Sequence, residues 1–507
     1  MKNKDNVWKI TKWFEGHICY GSVQSNNNRC LTSTIIATDT ISYISQDIAY
    51  EAWNSRRIAI ERLFGTWQSN LAELPTYVDE LLHTNPDTIV RWAFGPQVEY
   101  GVHTFKYLIW AFGPAIIAYQ QCIPIVCIDE THLKGNYIGK MLTAVAKNVN
   151  GQILPVAFAV VDNESNESWA WFLKLVQTHV NVIKRDLCII SDRHVGILNA
   201  MANQQYGWHH RYCLRHIRSN LMTKFNRNTE LKKLCWRAGS TMQSNRYKLA
   251  VRVIKTVSEA AWKYLEDADI HKWTLFRDSF RLRLGNLTTN TVESLNSVLR
   301  HARMMPVKAC MDYTFHYTRE HFNTQETTAH EWQAPLSKSM WTQFQEHEKL
   351  ASAYTVTCYN QQTGVYKVQS TYQRSDDGGA EYTAKYLKKC TCGRWQHQRM
   401  PCSHGIAVCR MRNKDPKNLI SIYYTTTTWR EQYSYHLHLL RDTTYWTTVN
   451  WTMKADPTRL ITHRGRRQSR RHHNEMDETH NRDTGPPRCD FCSQPGHNRN
   501  SCPTRFG

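Results

Sequence analysis

The sequence predicts an α/β core interrupted by an all-helical insertion, with a helical segment before it and small zinc-binding modules after it. Three observations predict this. β-Branched runs lie between Ile123 and Val161 and return at Leu187–Ile190, helical texture follows for a long stretch, and the last part of the chain holds two Cys₃His groupings. With 507 residues, 41% of them apolar, and 18 tryptophans, the chain is long enough for roughly two to four domains with real cores.

The helical pattern before the core runs from about Gln46 to Thr84, with Ala49, Trp53, Ile60 and Phe64 sharing a face. Residues 90–122 are aromatic-rich and ambiguous. Ile123–Ile128 reads as a strand, and Lys140–Ala146 and Ile153–Val161 as two more, joined by the hairpin signal Asn148–Gly151. A helix is expected over Ser168–Val180, with Trp169, Phe172, Leu173 and Val176 on one side, then a short strand at Leu187–Ile190. In the helical stretch, Leu249, Val253, Ile254, Val257, Ala261 and Leu265 form an amphipathic stripe. Three antiparallel strands, a helix and a fourth strand suggest a ribonuclease-H-like core.

Lys and Arg number 64 against 43 Asp and Glu, a net charge of +21 that favours a polyanionic partner, nucleic acid being the commonest. A generally basic, solvated surface is the plainer explanation. No membrane partner is expected, because the most apolar run, Tyr107–Tyr119, contains Gly113 and Pro114 and falls short of the roughly 18–20 residues a span needs. The opening MKNKDNVWKITKWFEGH lacks the apolar centre of a secretory signal, so the 16 cysteines are expected to be reduced and to serve as metal ligands or small buried hydrophobes. Pro457–Asn474 holds six arginines and three histidines without an acid and reads as a basic linker, closing at Pro486–Pro487. Its Arg464, Arg466, Arg467, Arg470 and Arg471 suit nuclear import or phosphate contact, with a simple solvated linker as the alternative.

Zinc requires four nitrogen or sulfur ligands in a tetrahedron. Cys489 and Cys492 form a C-x₂-C pair, Gly496 frees the backbone to bring His497 round, and Cys502 closes the set. This segment resembles the CCHC zinc knuckle, which implies contact with single-stranded nucleic acid. A second set is Cys390-Thr-Cys392 and Cys402-Ser-His404, separated by nine residues and bounded by turns at Gly393 and Pro401. Thr391 and Ser403 are expected to point away by the alternation of extended backbone. CTCGRWQHQRMPCSH resembles the SWIM zinc finger. Cys409 is expected to be a buried bystander on the helix that follows.

Asp129 ends IPIVCID, Asp192 ends LCIISD, and Glu293 lies in NTVESLNSVLRHAR. Singly, each reads as a turn residue or a helix cap. Together, adjacent strands ending in Asp can set two carboxylates on one sheet edge, and Glu293 can join them from a helix whose Val292, Leu295 and Leu299 face inward. Such a trio suits two Mg²⁺ or Mn²⁺ ions for phosphodiester chemistry. Asp162 and Glu164 read as turn residues.

The stretches IDETHLKG, GQILPVAFAVVDNESNESWAWFL, IISDR and TTNTVESLNS resemble the Mutator-like (MULE) transposases of plants, from about Ser45 to the C-terminus. The resemblance implies a DDE ribonuclease-H-like core with a helical insertion, then a SWIM finger and a terminal knuckle. It makes Asp129, Asp192 and Glu293 the catalytic acids, and DNA and the nucleus the setting. Cys213 and His216, in RYCLRHI, match the family's C-x-x-H motif, which serves either to position DNA or to support the core. Two departures stand out. Glu130 replaces the Gly of the family's D-G-T-H, and His17-Ile-Cys19 has no cysteine before it, so the N-terminal finger looks halved.

The expected organisation is a finger remnant over 1–30, a helical segment over 31–100, the transposase domain over 115–330, the SWIM finger over 375–415, the basic linker over 456–487 and the knuckle over 488–503. Two structural zinc ions are implied, with Mg²⁺ or Mn²⁺ added if the acids are active. Self-association is left open. Two functions compete: an enzyme cleaving and transferring DNA strands, and a domesticated DNA-binding regulator without catalysis. An RNA-binding module built on the knuckle and arginines leaves the α/β core unexplained.

Overall fold

The computed structural model describes residues 58–460, apart from 136, 184–185, 203–206, 279–280, 371–380 and 387–388. The chain divides into two compact units, Met1–Ile60 and Glu61–Gly507. The finger remnant, the arginines at 464–471 and the knuckle ligands Cys489, Cys492, His497 and Cys502 lie outside the described residues.

Within the second unit, helix α1 (Trp67–Thr84) starts at Thr66, whose hydroxyl accepts the Ser69 amide. The helix expected over Gln46–Thr84 is therefore not continuous. Gly65, at φ +80°, breaks it just before the cap, a backbone state that glycine adopts without steric cost. The segment expected to stay helical to residue 100 instead turns into strand β1 (Ile89–Glu99), which hairpins onto β2 (Val102–Ala111). Pro96 is tolerated because β1 is an edge strand and its pairing is irregular between Phe94 and Gln97. A short helix α2 (Gly113–Gln120) leads into the core.

The core strands follow the sequence closely. β3 (Ile125–His132), β4 (Lys140–Lys147) and β5 (Ile153–Val161) form an antiparallel meander, with Gly151 at φ +78° in the β4–β5 turn. Nearly every residue of β4 and β5 is buried, so these strands read as continuous apolar runs rather than alternating ones. Helix α3 (Asn166–Leu175) is nucleated by reciprocal bonds between Ser165 and Ser168. One π-helical turn extends it to Val180. β6 (Cys188–Ser191) then lies parallel to β3, and after α4 (Val195–Ala202), β7 (His209–Tyr212) lies parallel to β6. The sheet order is β1-β2-β5-β4-β3-β6-β7, a mixed α/β arrangement.

The helical insertion follows as α5 (Leu214–Lys224), α6 (Thr229–Ser240), α7 (Ser244–Val257), α8 (Glu259–Asp267) and α9 (Ile270–Trp273), with its own core. The predicted stripe is split at Ser258, which caps α8. Ile254, Ala261 and Leu265 are buried, but Leu249 faces solvent and Tyr247 and Ala250 take the inner positions. Asp278 lies beyond the insertion and bonds the buried Arg211 twice, at 3.0 and 2.7 Å, as well as the Arg283 amide.

Helix α10 (Asn290–Val298) returns to pack on β3, β4 and β5, and α11 (Val307–Glu331) runs beside α1. A second sheet, β8 (Tyr354–Asn360), β9 (Val365–Ser370), β10 (Glu381–Lys385) and β11 (Lys389–Cys390), forms a separate module with α12 (Lys338–Ala351), α13 (Arg394–Gln398) and α14 (Ser403–Met411). This module begins well before residue 375. The chain then comes back to the first core. α15 (Thr426–Gln432) buries Trp429, with Tyr433 just beyond it, and β12 (Thr452–Lys454) pairs with β2.

Candidate functional site

Strand pairing brings the first two acids together. Cys127 of β3 lies opposite Ile190 of β6 in parallel register, so Asp129 and Asp192, each two residues further on, sit on the same face of the sheet. Asp129 does not end its strand as expected; β3 continues to His132 and pairs Asp129 with Thr143. Glu293 comes from the first turn of α10, one turn before Asn296, whose amide donates to Asp129 Oδ2 at 3.3 Å.

The three carboxylates feel one another. Burial, opposed by His216 and reinforced by Asp192, Glu130 and Glu293, pushes the Asp129 carboxyl up to about 8. Asp192 accepts the His194 amide at 3.1 Å, and Glu293 Oε2 accepts Arg215 at 2.6 Å. Among the described residues, Glu293 Oε1 is buried with no hydrogen-bond partner. Clustered carboxylate oxygens with unused lone pairs are the donor set that a hard divalent cation takes, so these residues fit Mg²⁺ or Mn²⁺.

Glu130, the departure from the family motif, adds its charge to the cluster and pairs with Lys140 at 2.9 Å. Glu164 is more than the turn residue the sequence suggested. It accepts Trp169 Nε1 at 3.2 Å and lies 3.1 Å from His194 Nδ1. Burial, together with the charges of Glu130 and Asp192, raises its carboxyl. Hairpin register carries the signal that would have found it: Lys140 lies opposite both His132 and Val161, so residues just past Val161 flank the end of β3. Asp162 is a half-buried turn residue, bonded to Arg459 at 3.3 Å.

Cys213 and His216 lie beneath the acids. Cys213 is wholly buried, and its sulfur accepts the amide and hydroxyl of Thr289 at 3.4 Å, at the cap of α10. Burial would discharge His216, but its bond with Cys213 and the charges of Cys213, Asp129 and Asp192 win and raise its imidazole to about 9. A thiol with no exposed surface cannot touch a polymer, so the DNA-contact role suggested for Cys213 gives way to support of the core.

The second site is in the β8–β11 module. Cys390 ends β11, Cys392 follows in the turn, and Gly393, at φ +82°, starts α13. Cys402 is the N-cap of α14 and His404 is its second residue. This corrects the expected alternation: Ser403 is buried at the start of the helix and meets the Tyr354 hydroxyl at 3.2 Å. All four ligand atoms lie within 4.8 Å of one another, with His404 Nδ1 3.6 Å from Cys390 Sγ and 3.8 Å from Cys402 Sγ. Ideal tetrahedral zinc has S···N edges of about 3.6 Å, so the set fits. The His404 ring is held between Tyr382 and Tyr354, with centroids at 4.0 and 5.0 Å. Hydrogen bonds from Cys390 and Cys402 hold the Cys392 thiol far below its usual range. Cys409 is buried on α14 outside the cluster, as expected.

A mixed α/β domain with clustered carboxylates is joined to a buried Cys₃His cluster whose geometry suits zinc. Residues 125–220 match the family model of the MULE transposase domain and residues 354–413 that of the SWIM zinc finger, so the chain carries a MULE-type domain followed by a SWIM-type finger. Among curated proteins it is similar to Protein FAR1-RELATED SEQUENCE 12 of Arabidopsis thaliana, 30% identical over 113 residues, 22% of this chain and 14% of that protein. It is also similar to Protein FAR1-RELATED SEQUENCE 7 of the same plant, 29% identical over 114 residues, again 22% and 14%. The match therefore spans about a seventh of the length of these relatives. Among the described residues no helix is long and apolar enough to cross a membrane.

Proposed function

We propose that this chain is a nuclear DNA-binding protein built on a ribonuclease-H-like core, in which Asp129, Asp192 and Glu293 hold divalent metal for cleavage and strand transfer of DNA. The observation that carries the reading is the convergence of three half-buried acids from β3, the end of β6 and α10 on one site. The order β5-β4-β3-β6-β7, antiparallel and then parallel, supports the core assignment. Mg²⁺ or Mn²⁺, when bound, activates an attacking oxygen and stabilises a leaving one. The protein's part is positional: Asn296 orients Asp129, the His194 amide fixes Asp192, and Arg215 holds Glu293. His216 offsets the negative charge from below.

The alternative is a domesticated DNA-binding regulator. The Arg215–Glu293 ion pair favours it, because a carboxylate already neutralised at 2.6 Å has less need of a metal. Glu130, in place of the family glycine, and the similarity to the two FAR1-RELATED proteins point the same way. In either reading the SWIM site holds zinc as a folding clamp. A second zinc at Cys489, Cys492, His497 and Cys502, touching single-stranded nucleic acid, and phosphate contacts by Arg464, Arg466, Arg467, Arg470 and Arg471 belong to the same proposal.

The test is nicking of labelled DNA by the zinc-loaded full chain with Mg²⁺ or Mn²⁺. The enzyme reading expects cleavage that Asp192→Ala abolishes without loss of binding. Equal binding and no cleavage by either protein selects the regulator.

A further inference from the structure

An open cleft of about 420 Å³ lies away from the acids, between the zinc module and the turn that follows the helical insertion. Its size falls within the range of small-ligand sites. Trp395, Leu419 and Ile420 give it an apolar lining, and two arginines line it as well, Arg281 from the turn after the helical insertion and Arg399 from the end of α13. Both arginines are exposed, no acidic residue lines the cleft, and neither guanidinium has a carboxylate partner among the described residues. Both also sit at φ +52°, a strained conformation for a side chain of that size.

The walls are tied to the metal module. Gln396, next to Trp395, exchanges two hydrogen bonds with the backbone of the zinc ligand Cys390, at 3.2 and 2.7 Å. The Arg399 carbonyl accepts the Ser421 amide at 3.2 Å, fixing the α13 wall to the segment carrying Leu419 and Ile420. On the far side, Gly285 lies near Gln398: a Cβ built on it would sit 3.7 Å from the Gln398 side chain. The cleft is thus preformed when the finger is folded.

Guanidiniums without carboxylate partners beside an apolar floor, made of half-buried Leu419 and Ile420 and the largely buried Trp395, make the chemistry of a nucleotide: phosphate for the arginines, a base against the floor. A duplex presents its bases stacked and paired, so a concave site of this kind suits an unpaired one. We propose that this cleft holds one unpaired nucleotide of a DNA strand, its phosphate between Arg281 and Arg399. The proposal rests on the DNA-binding reading above and adds where, and in what form, the strand is gripped.

The experiment measures binding of a fluorescent single-stranded oligodeoxynucleotide, the matching duplex and the matching RNA to the zinc-loaded full chain. The variants are Arg281→Gln/Arg399→Gln and, separately, Asn418→Glu, which sets a carboxylate on the exposed rim. Zinc content and melting temperature of each variant are read alongside. Single-strand affinity should fall about tenfold in both variants, and the log–log salt slope of the double variant should shrink by about 0.7, with duplex binding little changed. Unchanged single-strand affinity in folded, zinc-replete variants overturns the cleft while leaving DNA binding intact. Equal losses on duplex and single strand reduce the arginines to general surface charge and also overturn it. Stronger binding of RNA than DNA, lost in the same variants, reassigns the cleft to RNA. If the unmodified chain binds no DNA at all, the DNA-binding reading falls and the cleft proposal falls with it.

Discussion

Replacing Gly393 by alanine tests whether the zinc finger is held in place by its dock on the helical insertion. Gly393 follows the ligand Cys392 at φ +82°, and a Cβ built on it would lie 2.7 Å from Met242 Cβ and 2.9 Å from the Met242 carbonyl. Two costs follow. The left-handed backbone costs an alanine about 1–2 kcal/mol, and forcing Met242 aside costs about 1–3 kcal/mol. Gly364 is the internal control, because it has φ +65° but its nearest neighbour, Tyr386 Cβ, is at 3.5 Å. Gly364→Ala should therefore show the first cost alone. Because a finger of this kind folds with its metal, the summed loss of about 2–5 kcal/mol should weaken apparent zinc affinity between about thirtyfold and a few thousandfold. Competition with a chromogenic chelator reads this directly, with thermal melting as a second readout. Zinc affinity of Gly393→Ala within threefold of the parent, or equal to that of Gly364→Ala, would refute the docking argument.

Other perturbations probe the remaining parts. Cys402→Ser should release zinc and melt the β8–β11 module, because a structural site supplies folding free energy of about 10 kcal/mol or more; metal analysis and limited proteolysis check both. Asp278→Ala should destabilise the fold by about 3–5 kcal/mol, since it strands the buried Arg211 guanidinium and leaves the Arg283 amide without its acceptor; denaturant unfolding measures it. For pH, the Asp129 carboxyl stands at about 8 in the folded chain against about 3.9 unfolded. The folded state thus holds a proton that the unfolded state releases, and stability falls as pH rises through that window, by at most about 4 kcal/mol at pH 7. Asp129→Asn should flatten the decline in melting temperature between pH 5 and 8, and an unchanged slope would contradict the buried-acid assignment.

Much of this was legible because it was local. The runs IPIVCID, LTAVAK and ILPVAFAVV could only be buried strands, and the equal spacing of Asp129 and Asp192 beyond Cys127 and Ile190 set two acids on one face. The Cys390–His404 spacing needed only a turn and a helix start. What escaped depended on distant partners. The β1–β2 hairpin looked ambiguous because Gly95 and Pro96 interrupt it, and only its place at the sheet edge makes them harmless. Glu164 looked like a turn residue because its neighbours Glu130 and His194 are remote in sequence. Leu249 looked like core because the break at Ser258 rotates the faces of α7 and α8 relative to one continuous helix.

The chain enters and leaves the zinc module through a narrow neck. Leu336 bridges Thr425, the Ser337 amide bonds the Tyr424 carbonyl, and the Thr426 amide bonds that of Pro335. Everything from 338 to 423 is thus a closed excursion from a domain whose last strand, Thr452–Lys454, is made afterwards. During synthesis the finger has all its ligands before that strand emerges, so metal capture can precede completion of the sheet edge. A chain from which the finger has emerged, but in which Thr452–Lys454 has not yet docked, carries a folded finger on a domain with the Val102–Thr104 stretch of β2 uncovered.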